Sequence, residues 1–407
     1  MKHPIIATMI LMTASATMTP GSNAASFGKD VAFLRAHTDI IVLNDEKGLA
    51  KVAIAPAWQG RVMTSTARND AGRSFGWVNR ELIASGKLLP HMNAFGGEDR
   101  FWLGPEGGQF SIYFAKGAKF DLDNWFVPAA FDTLPFKTVN QSNDRASFAL
   151  DIALTNYSGT QFQVAVNREV RLLDTAAAWE KLGLPPSDKV SLVAFETDNR
   201  ITNTGQNPWK KETGLLSVWI LGMFTPSPSV TIVVPIKPGP ESELGSKITS
   251  YPSFGVIPPE RLKMQENLIY FRGDGKFRSK IGVSPRRSKG VLGAYDADNK
   301  VLTIVQFDQP AGVTDYVNSL WELQDNPYGG DVANSYNDGP PAPGKPPLGP
   351  FFEMESSSPA NSLAPGESAA HLHRTIHLTG SEKALDPVAR ALLGASLADI
   401  KSAFHSN

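Results

Sequence analysis

Residues able to move protons gather in two places in this sequence. The first is Pro90–Gln109, where His91, Glu98, Asp99, Arg100, Trp102 and Glu106 stand among five glycines and two prolines. Glycine is entropically costly inside helices and strands, so this segment reads as a loop that shapes a surface rather than fills a core. It is expected to be one wall of a binding site. The second is Phe351–Pro359, whose strand-like alternation points Glu353 and Glu355 one way and Phe352 and Met354 the other. Like charges that close push one pKa upward, as a general base and its partner require. The same pair can also serve as oxygen ligands for Ca²⁺ or as a charged strand edge.

Other clusters point to the kind of ligand. Between Tyr316 and Gly339 lie Asn318, Trp321, Glu322, Gln324, Asp331, Asn334, Tyr336, Asn337 and Asp338. Sugars offer hydroxyls and apolar C–H faces, and amides, carboxylates and rings answer both. Asn337–Gly339 by itself also reads as a turn. Asn207–Gly214, followed by Trp219, carries Lys210, Lys211 and Glu212, either as a solvated turn or as part of a site. Arg272–Lys280 reads as a hairpin turn with basic flanks, in which Arg272, Lys276 or Arg278 can meet a carboxylate. His371, His373 and His377 share one face of a strand, but no acid is clearly placed to complete a zinc site with them. No Walker loop, nucleophile elbow or dinucleotide fingerprint is present.

The elements that must position these residues are mostly strands. Runs at Ile40–Leu43, Lys51–Pro56, Arg61–Thr66, Phe110–Phe114, Ser147–Leu154, Gln161–Leu172, Lys189–Asn199 and Leu215–Phe224 read as strands. So do Val230–Pro235, Leu268–Phe271, Lys280–Val283, Gly290–Asp296, Lys300–Phe307 and Pro350–Ser356. Arg168 falls on the apolar face of Gln161–Leu172, at a strand end or on a partly open face. Helices are expected at Asp30–His37 with Asp30 as cap, at Thr175–Leu182 with Asp174 as cap, and over about 386–404 with Asp386 as cap and Pro387 in the first turn. With 35 glycines and 30 prolines, this composition favours short strands joined by turns: an antiparallel all-β sandwich in one domain over 25–407.

Lys2 and His3 precede an uncharged run, Pro4–Met18, and Ser22-Asn23-Ala24 supplies small residues for cleavage. That pattern is a secretory signal peptide over 1–24, cut near Ala24, and predicts a periplasmic or secreted protein. The run is too short and too rich in Thr and Ser to span a bilayer, so no membrane insertion is expected. The absence of cysteine removes disulfides, thiolate metal sites and a lipidated leader. With 39 basic and 40 acidic residues no field of one sign exists, which disfavours nucleic acid and anionic membrane as partners. The oligomeric state has no signature in the sequence.

Val52-Ala-Ile-Ala-Pro-Ala-Trp-Gln-Gly-Arg-Val-Met63, ending at Asp70-Ala-Gly-Arg73, resembles the opening of galactose-mutarotase-like proteins. Phe95-Gly-Gly with Trp102 resembles their Gly-Gly…Trp site segment, and Phe352–Pro359 with Leu363-Ala-Pro-Gly-Glu367 resembles their late glutamate strand and tail. The likeness spans most of residues 40–380. It is closer still, through Phe95–Trp102 and Asn334–Pro340, to an exported bacterial family within that superfamily. The resemblance implies a galactose-mutarotase-like β-supersandwich with a few short helices and a C-terminal helix, a carbohydrate ligand and no required cofactor, with Ca²⁺ allowed. In aldose 1-epimerases of this fold a late-strand Glu takes the anomeric proton and a His protonates the ring oxygen. By position the base is Glu353 or Glu355. The family's His-x-Tyr-Phe segment is absent and Gly214–Phe224 holds no histidine, so His91 or a protonated Glu98 or Glu212 stands in as acid. The expectation is an exported carbohydrate-binding protein with epimerase-like acid–base chemistry. The alternatives are a glycan binder without turnover and a polysaccharide lyase in which Arg100 or Lys210 neutralises a uronate.

Overall fold

Three antiparallel sheets form the framework of the computed structural model, which describes residues 25–404. The expected signal peptide lies outside the described residues. A ten-stranded sheet runs in space from Leu262–Met264 through Leu268–Arg272, Val230–Pro235, Val291–Asp296, Val301–Phe307, Ser368–Gly380, Val190–Asn203, Gln161–Leu172 and Arg145–Thr155 to Lys137–Gln141. A six-stranded sheet runs Thr249–Ser250, Ser279–Val283, Ala333–Asn337, Phe352–Ser357, Ser217–Phe224, Arg100–Gly104. Ile41–Asn44, Lys51–Ala55 and Arg61–Thr66 make the third.

The period-two alternation of strands decides how these layers stack. Phe352 and Met354 face the ten-stranded sheet and pack with Ile232, Leu292 and Val305. Ser356, on the same side, meets His371 Nε2 and His373 Nδ1, each at 2.8 Å. The opposite face of the six-stranded sheet therefore carries Glu353 and Glu355. Val52, Ile54 and Val62 of the third sheet share a core with Phe148, Val164, Val166 and Val170. Helices cover the far side of the large sheet, where Trp179, Leu385, Val388 and Leu393 pack on Val233, Leu302, Ile304 and Ile376.

Thr175–Leu182 forms as expected, with the Asp174 carboxylate accepting from Ala177 N at 2.8 Å. Other expectations are corrected. The first helix is Phe27–Arg35 and starts after Ser26, so Asp30 lies inside it, where it pairs with Arg80 instead of capping. Phe110–Phe114 is no strand. Its backbone is satisfied by turns, with Ser111 N on Gly108 O and Ile112 N on Pro105 O, and its side chains are buried on both sides. The C-terminal helix divides into Glu382–Leu393 and Leu397–Ser402, with Pro387 inside the first. Asp386 spans the break by accepting from Arg390 Nε and Leu397 N. A strand, Arg100–Gly104, sits inside the segment expected to be all loop, and another, Ala333–Asn337, inside the second polar cluster.

Arg168 lies on a closed face and is fully buried. Its guanidinium pairs with Asp99 Oδ1 at 2.5 Å and also donates to Asn199 Oδ1 and Gly60 O. Asp99 accepts from Thr197 Oγ1 at 2.9 Å. A buried pair is costly to break from one side, because the remaining charge stays in a low dielectric. Arg168→Met is expected to lower stability by about 3–5 kcal/mol in denaturant unfolding. A loss below about 1 kcal/mol, the worth of an exposed pair, would show that the pair does not hold these layers together.

Candidate functional site

Strand register assembles the site. Across four neighbouring strands of the six-stranded sheet, Lys280, Tyr336, Glu353 and Met223 lie side by side. The next row is Asn334, Glu355, Leu221 and Arg100, and beyond it Trp219 faces Trp102. Residues two apart share a face, so all of these belong to one surface. Segments around Leu89–Met92, Leu122–Trp125, Phe254, Trp321 and 339–351 close over it and leave a cavity of about 420 Å³, within the size range of small-molecule sites.

The turn that starts the Arg100 strand demands glycine. Gly96 and Gly97 have φ of 98° and 112°, and a Cβ on Gly96 would fall 2.0 Å from Trp77 O. Beyond the turn, Arg100 donates to Glu353 Oε1 and stands 5.0 Å from the Trp102 ring centre. Lys280 Nζ donates to Glu355 Oε2 at 3.1 Å and lies 4.6 Å from the centre of Trp219, whose indole N–H donates to the same oxygen at 2.9 Å. The floor of the cavity is thus two cation–glutamate pairs set among aromatic rings.

Burial governs the acids. It pushes Glu353 up to about 8, against the pull of Arg100 and with Glu355 adding to the push. It raises Glu106 to about 7, with Lys280 opposing and Glu355 adding. Asp338 is raised to about 6 by burial although Tyr336 O–H and Gly349 N–H both donate to it. For Lys280 burial acts to lower the pKa, but Glu355, Glu106 and Glu353 together carry it above its ordinary value.

Several buried polar atoms on these residues have no partner: Nε of Arg100, the indole N–H of Trp102 and Trp125, and Oε1 of Glu355, while the Trp321 indole N–H and the Glu106 carboxyl interact with each other. Roughly nine in ten buried polar groups in native proteins are paired. Exceptions also occur elsewhere, on Arg61, Tyr316 and His373 for example, but these gather at one cavity.

His91, Arg100, Trp102, Glu106, Trp219, Trp321, Tyr336, Asp338 and Glu353 line the cavity. His91 stands half-buried at its edge, stacked on Phe126, with Nδ1–H donating to Trp125 O at 2.7 Å. Glu355 lies beneath the floor, and Asn334 lies deeper in the sheet, donating to Tyr251 OH at 2.9 Å. The remaining site expectations are corrected. Glu98 turns into the interior, where Ser65 and His377 Nε2 hold it. Lys210, Glu212 and Glu322 are exposed and line no part of the cavity. Asn318 braces its own loop through Leu320 N and Asn326 O. The three strand histidines lie between the sheets, where burial depresses His371 to about 3 and His373 to about 4. Among the described residues, no group of three or more His, Cys, Asp or Glu is arranged to hold a metal ion, and no helix is long and apolar enough to cross a membrane.

Lys280, Trp125, Phe254 and Tyr251 join or support the cavity without having been singled out as site residues from the sequence. Lys280 left a trace: a lone lysine in Ser-Lys-Ile-Gly-Val, a strand that is otherwise without charge. The other three lie on irregular segments whose positions depend on distant contacts.

A sequence profile described as a family of unknown function (DUF6786) matches residues 25–404, so the chain belongs to that family. No curated protein sequence matches the chain. Similar solved structures include a Synechocystis protein, 13% identical, covering 84% of this chain and 96% of that one at a TM-score of 0.49. A galactose mutarotase-like protein from Lactobacillus casei is 10% identical, covering 84% of this chain and 100% of its own at 0.49. A galactose mutarotase related enzyme from Lactobacillus acidophilus is 11% identical, covering 84% and 97% at 0.44.

Removing one member of the floor tests its electrostatics. Lys280→Met leaves Glu355 buried without its cation and is expected to cost about 3–5 kcal/mol in chemical unfolding, while Lys280→Met with Glu355→Gln recovers part of the loss. If the double variant is no more stable than Lys280→Met alone, Lys280 and Glu355 do not act as a pair.

Proposed function

We propose that this member of the family binds a saccharide in the cavity and exchanges protons with it in the manner of an aldose 1-epimerase. The observation that carries the reading is the set of unpartnered groups around an aromatic-lined cavity, the indole N–H of Trp102 and Trp125, the Arg100 Nε and a Glu355 oxygen. Sugar hydroxyls both donate and accept, and sugar C–H faces stack on rings, so one ligand class satisfies both features.

Two cavity carboxyls have environments suited to proton transfer near neutrality. Glu353, pushed up to about 8, starts protonated, and Glu106, at about 7, supplies an ionised fraction. In the proposed step Glu106 takes the proton of the anomeric hydroxyl. The anomeric C=O forms as the bond from C1 to the ring oxygen breaks, and the ring oxygen receives the proton of Glu353. Rotation about C1–C2 and the reverse sequence give the other anomer and restore both carboxyls. The steps use side chains of this chain and no cofactor. A glycan binder without turnover is the second reading, favoured by Arg100 already engaging Glu353 and by His91 standing at the edge rather than on the floor.

Because Glu106 must be ionised and Glu353 protonated, the mutarotation rate should rise with pH through about 7 and fall through about 8. The two limbs belong to interacting groups rather than to either alone. Glu353→Gln and Glu106→Gln should each lower the rate about 100-fold or more, followed by polarimetry over a panel of aldoses. Variants that match the unmodified protein sink the acid–base reading; a sugar that binds with no change in anomer exchange selects the second reading. We also propose export. Mass spectrometry of the mature protein is expected to find Ala25 at its N-terminus, and retention of Met1–Ala24 in the exported fraction would contradict it.

A further inference from the structure

The cavity holds three cations, and two are committed. Arg100 is paired with Glu353 and Lys280 with Glu355. Arg278, half-buried in the wall, makes a single hydrogen bond, from Nη1 to Ser253 O at 2.7 Å. Its guanidinium carbon lies 4.3 Å from the Phe254 ring centre, and Phe254 in turn packs edge-on against Trp321 and Tyr336. Among the described residues no carboxylate closes an ion pair with it. Asp274, the acid nearest to it in sequence, is paired with Arg261, and Asp338, whose carboxyl feels the Arg278 charge, is engaged by Tyr336 O–H at 2.7 Å and Gly349 N–H at 2.9 Å. The loop carrying Asp338 passes so close that a Cβ on Gly339 would lie 2.5 Å from Arg278 N.

Resting on the saccharide reading above, we propose that the sugar carries a carboxylate and that Arg278 binds it. A guanidinium packed over a ring is less free to turn, and its planar N–H fork matches a carboxylate with two parallel bonds. A phosphate monoester fits less well. One free guanidinium answers only part of its near-double charge. The burial that keeps Glu353 and part of Glu106 protonated near neutrality removes negative charge that a carboxylate would otherwise meet. Uronic acids are the ligand class with this chemistry.

The cavity tryptophans provide the readout. Fluorescence titrations of the full mature chain with glucuronate, galacturonate, glucose, galactose and glucose 6-phosphate compare acid and neutral sugars of one configuration. The uronate is expected to bind at least about tenfold more tightly than its neutral hexose, the worth of a charge-assisted hydrogen bond. In Arg278→Gln that ratio should fall close to one, and Arg278→Lys should keep part of it. Measurable hexose binding by Arg278→Gln shows that the variant is folded. Equal binding of acid and neutral sugars, a preference that survives Arg278→Gln, or tighter binding of glucose 6-phosphate than of glucuronate would each overturn the carboxylate assignment and leave the saccharide reading standing. Failure of every sugar to bind overturns both.

Discussion

The buried pair of Asp99 and Arg168 is the fixed point of this structure. Asp99 is the middle of three consecutive buried charged residues, and each is drawn to a different layer. Glu98 is held by Ser65 of the three-stranded sheet and by His377 of the ten-stranded sheet. Asp99 is held by Arg168 and Thr197 of the ten-stranded sheet. Arg100 opens the edge strand of the six-stranded sheet and reaches Glu353. Three adjacent side chains thereby tie three sheets together, and the last of them sets one wall of the cavity. Such pairs are poor sources of net stability, since desolvation offsets most of the attraction. What they supply here is geometry: a one-residue slip would turn Arg100 away from the cavity and Asp99 toward it.

That arrangement also explains which parts of the molecule were legible in the sequence. Strands with an apolar side and a polar side, such as Gln161–Leu172, announce themselves through alternation, and Arg61–Thr66 and Val230–Pro235 through runs rich in β-branched residues between turn signals. The helix Thr175–Leu182 has a local cap and needs no distant partner. Arg100–Gly104 and Ala333–Asn337 are different. Both are buried on both faces, carry polar residues on the cavity side, and are bounded by turn residues, so their local pattern reads as loop. The late glutamates, Trp102, Trp219 and Tyr336 could be named because acids and large rings among turn residues stand out. Glu98 could not be separated from Arg100 by composition alone; only the turn at Gly96–Gly97 and the register of the following strand send one inward and the other to the cavity.

The cavity obeys a different balance from the core. In the core, Glu98, Asp99 and Arg168 find partners for most of their polar atoms. Around the cavity, the Trp102 and Trp125 indoles, one Arg100 nitrogen and one Glu355 oxygen do not. Each such group costs about 1–3 kcal/mol when kept from water without a partner. Atoms of this kind also occur away from the cavity, on Arg61, Arg261, Tyr316, His373 and Thr375, so it is their gathering around one aromatic-lined space that suits the proposed ligand.

The same low-dielectric setting gives the floor its chemistry. Glu353 and Glu355 are two residues apart on one strand, yet they are not equivalent. Glu355 accepts from both Lys280 and Trp219 on a single oxygen beneath the floor. Glu353 lines the cavity itself, and its upward shift follows in part from Glu355 holding its charge so near. Glu106, on the opposite wall, feels the same neighbour. Burial, with Glu355 adding to it, thus keeps both near the point where they can gain or lose a proton at neutral pH. This ties the acid–base reading to Lys280, since the cation that stabilises Glu355 also limits how far Glu353 and Glu106 are raised.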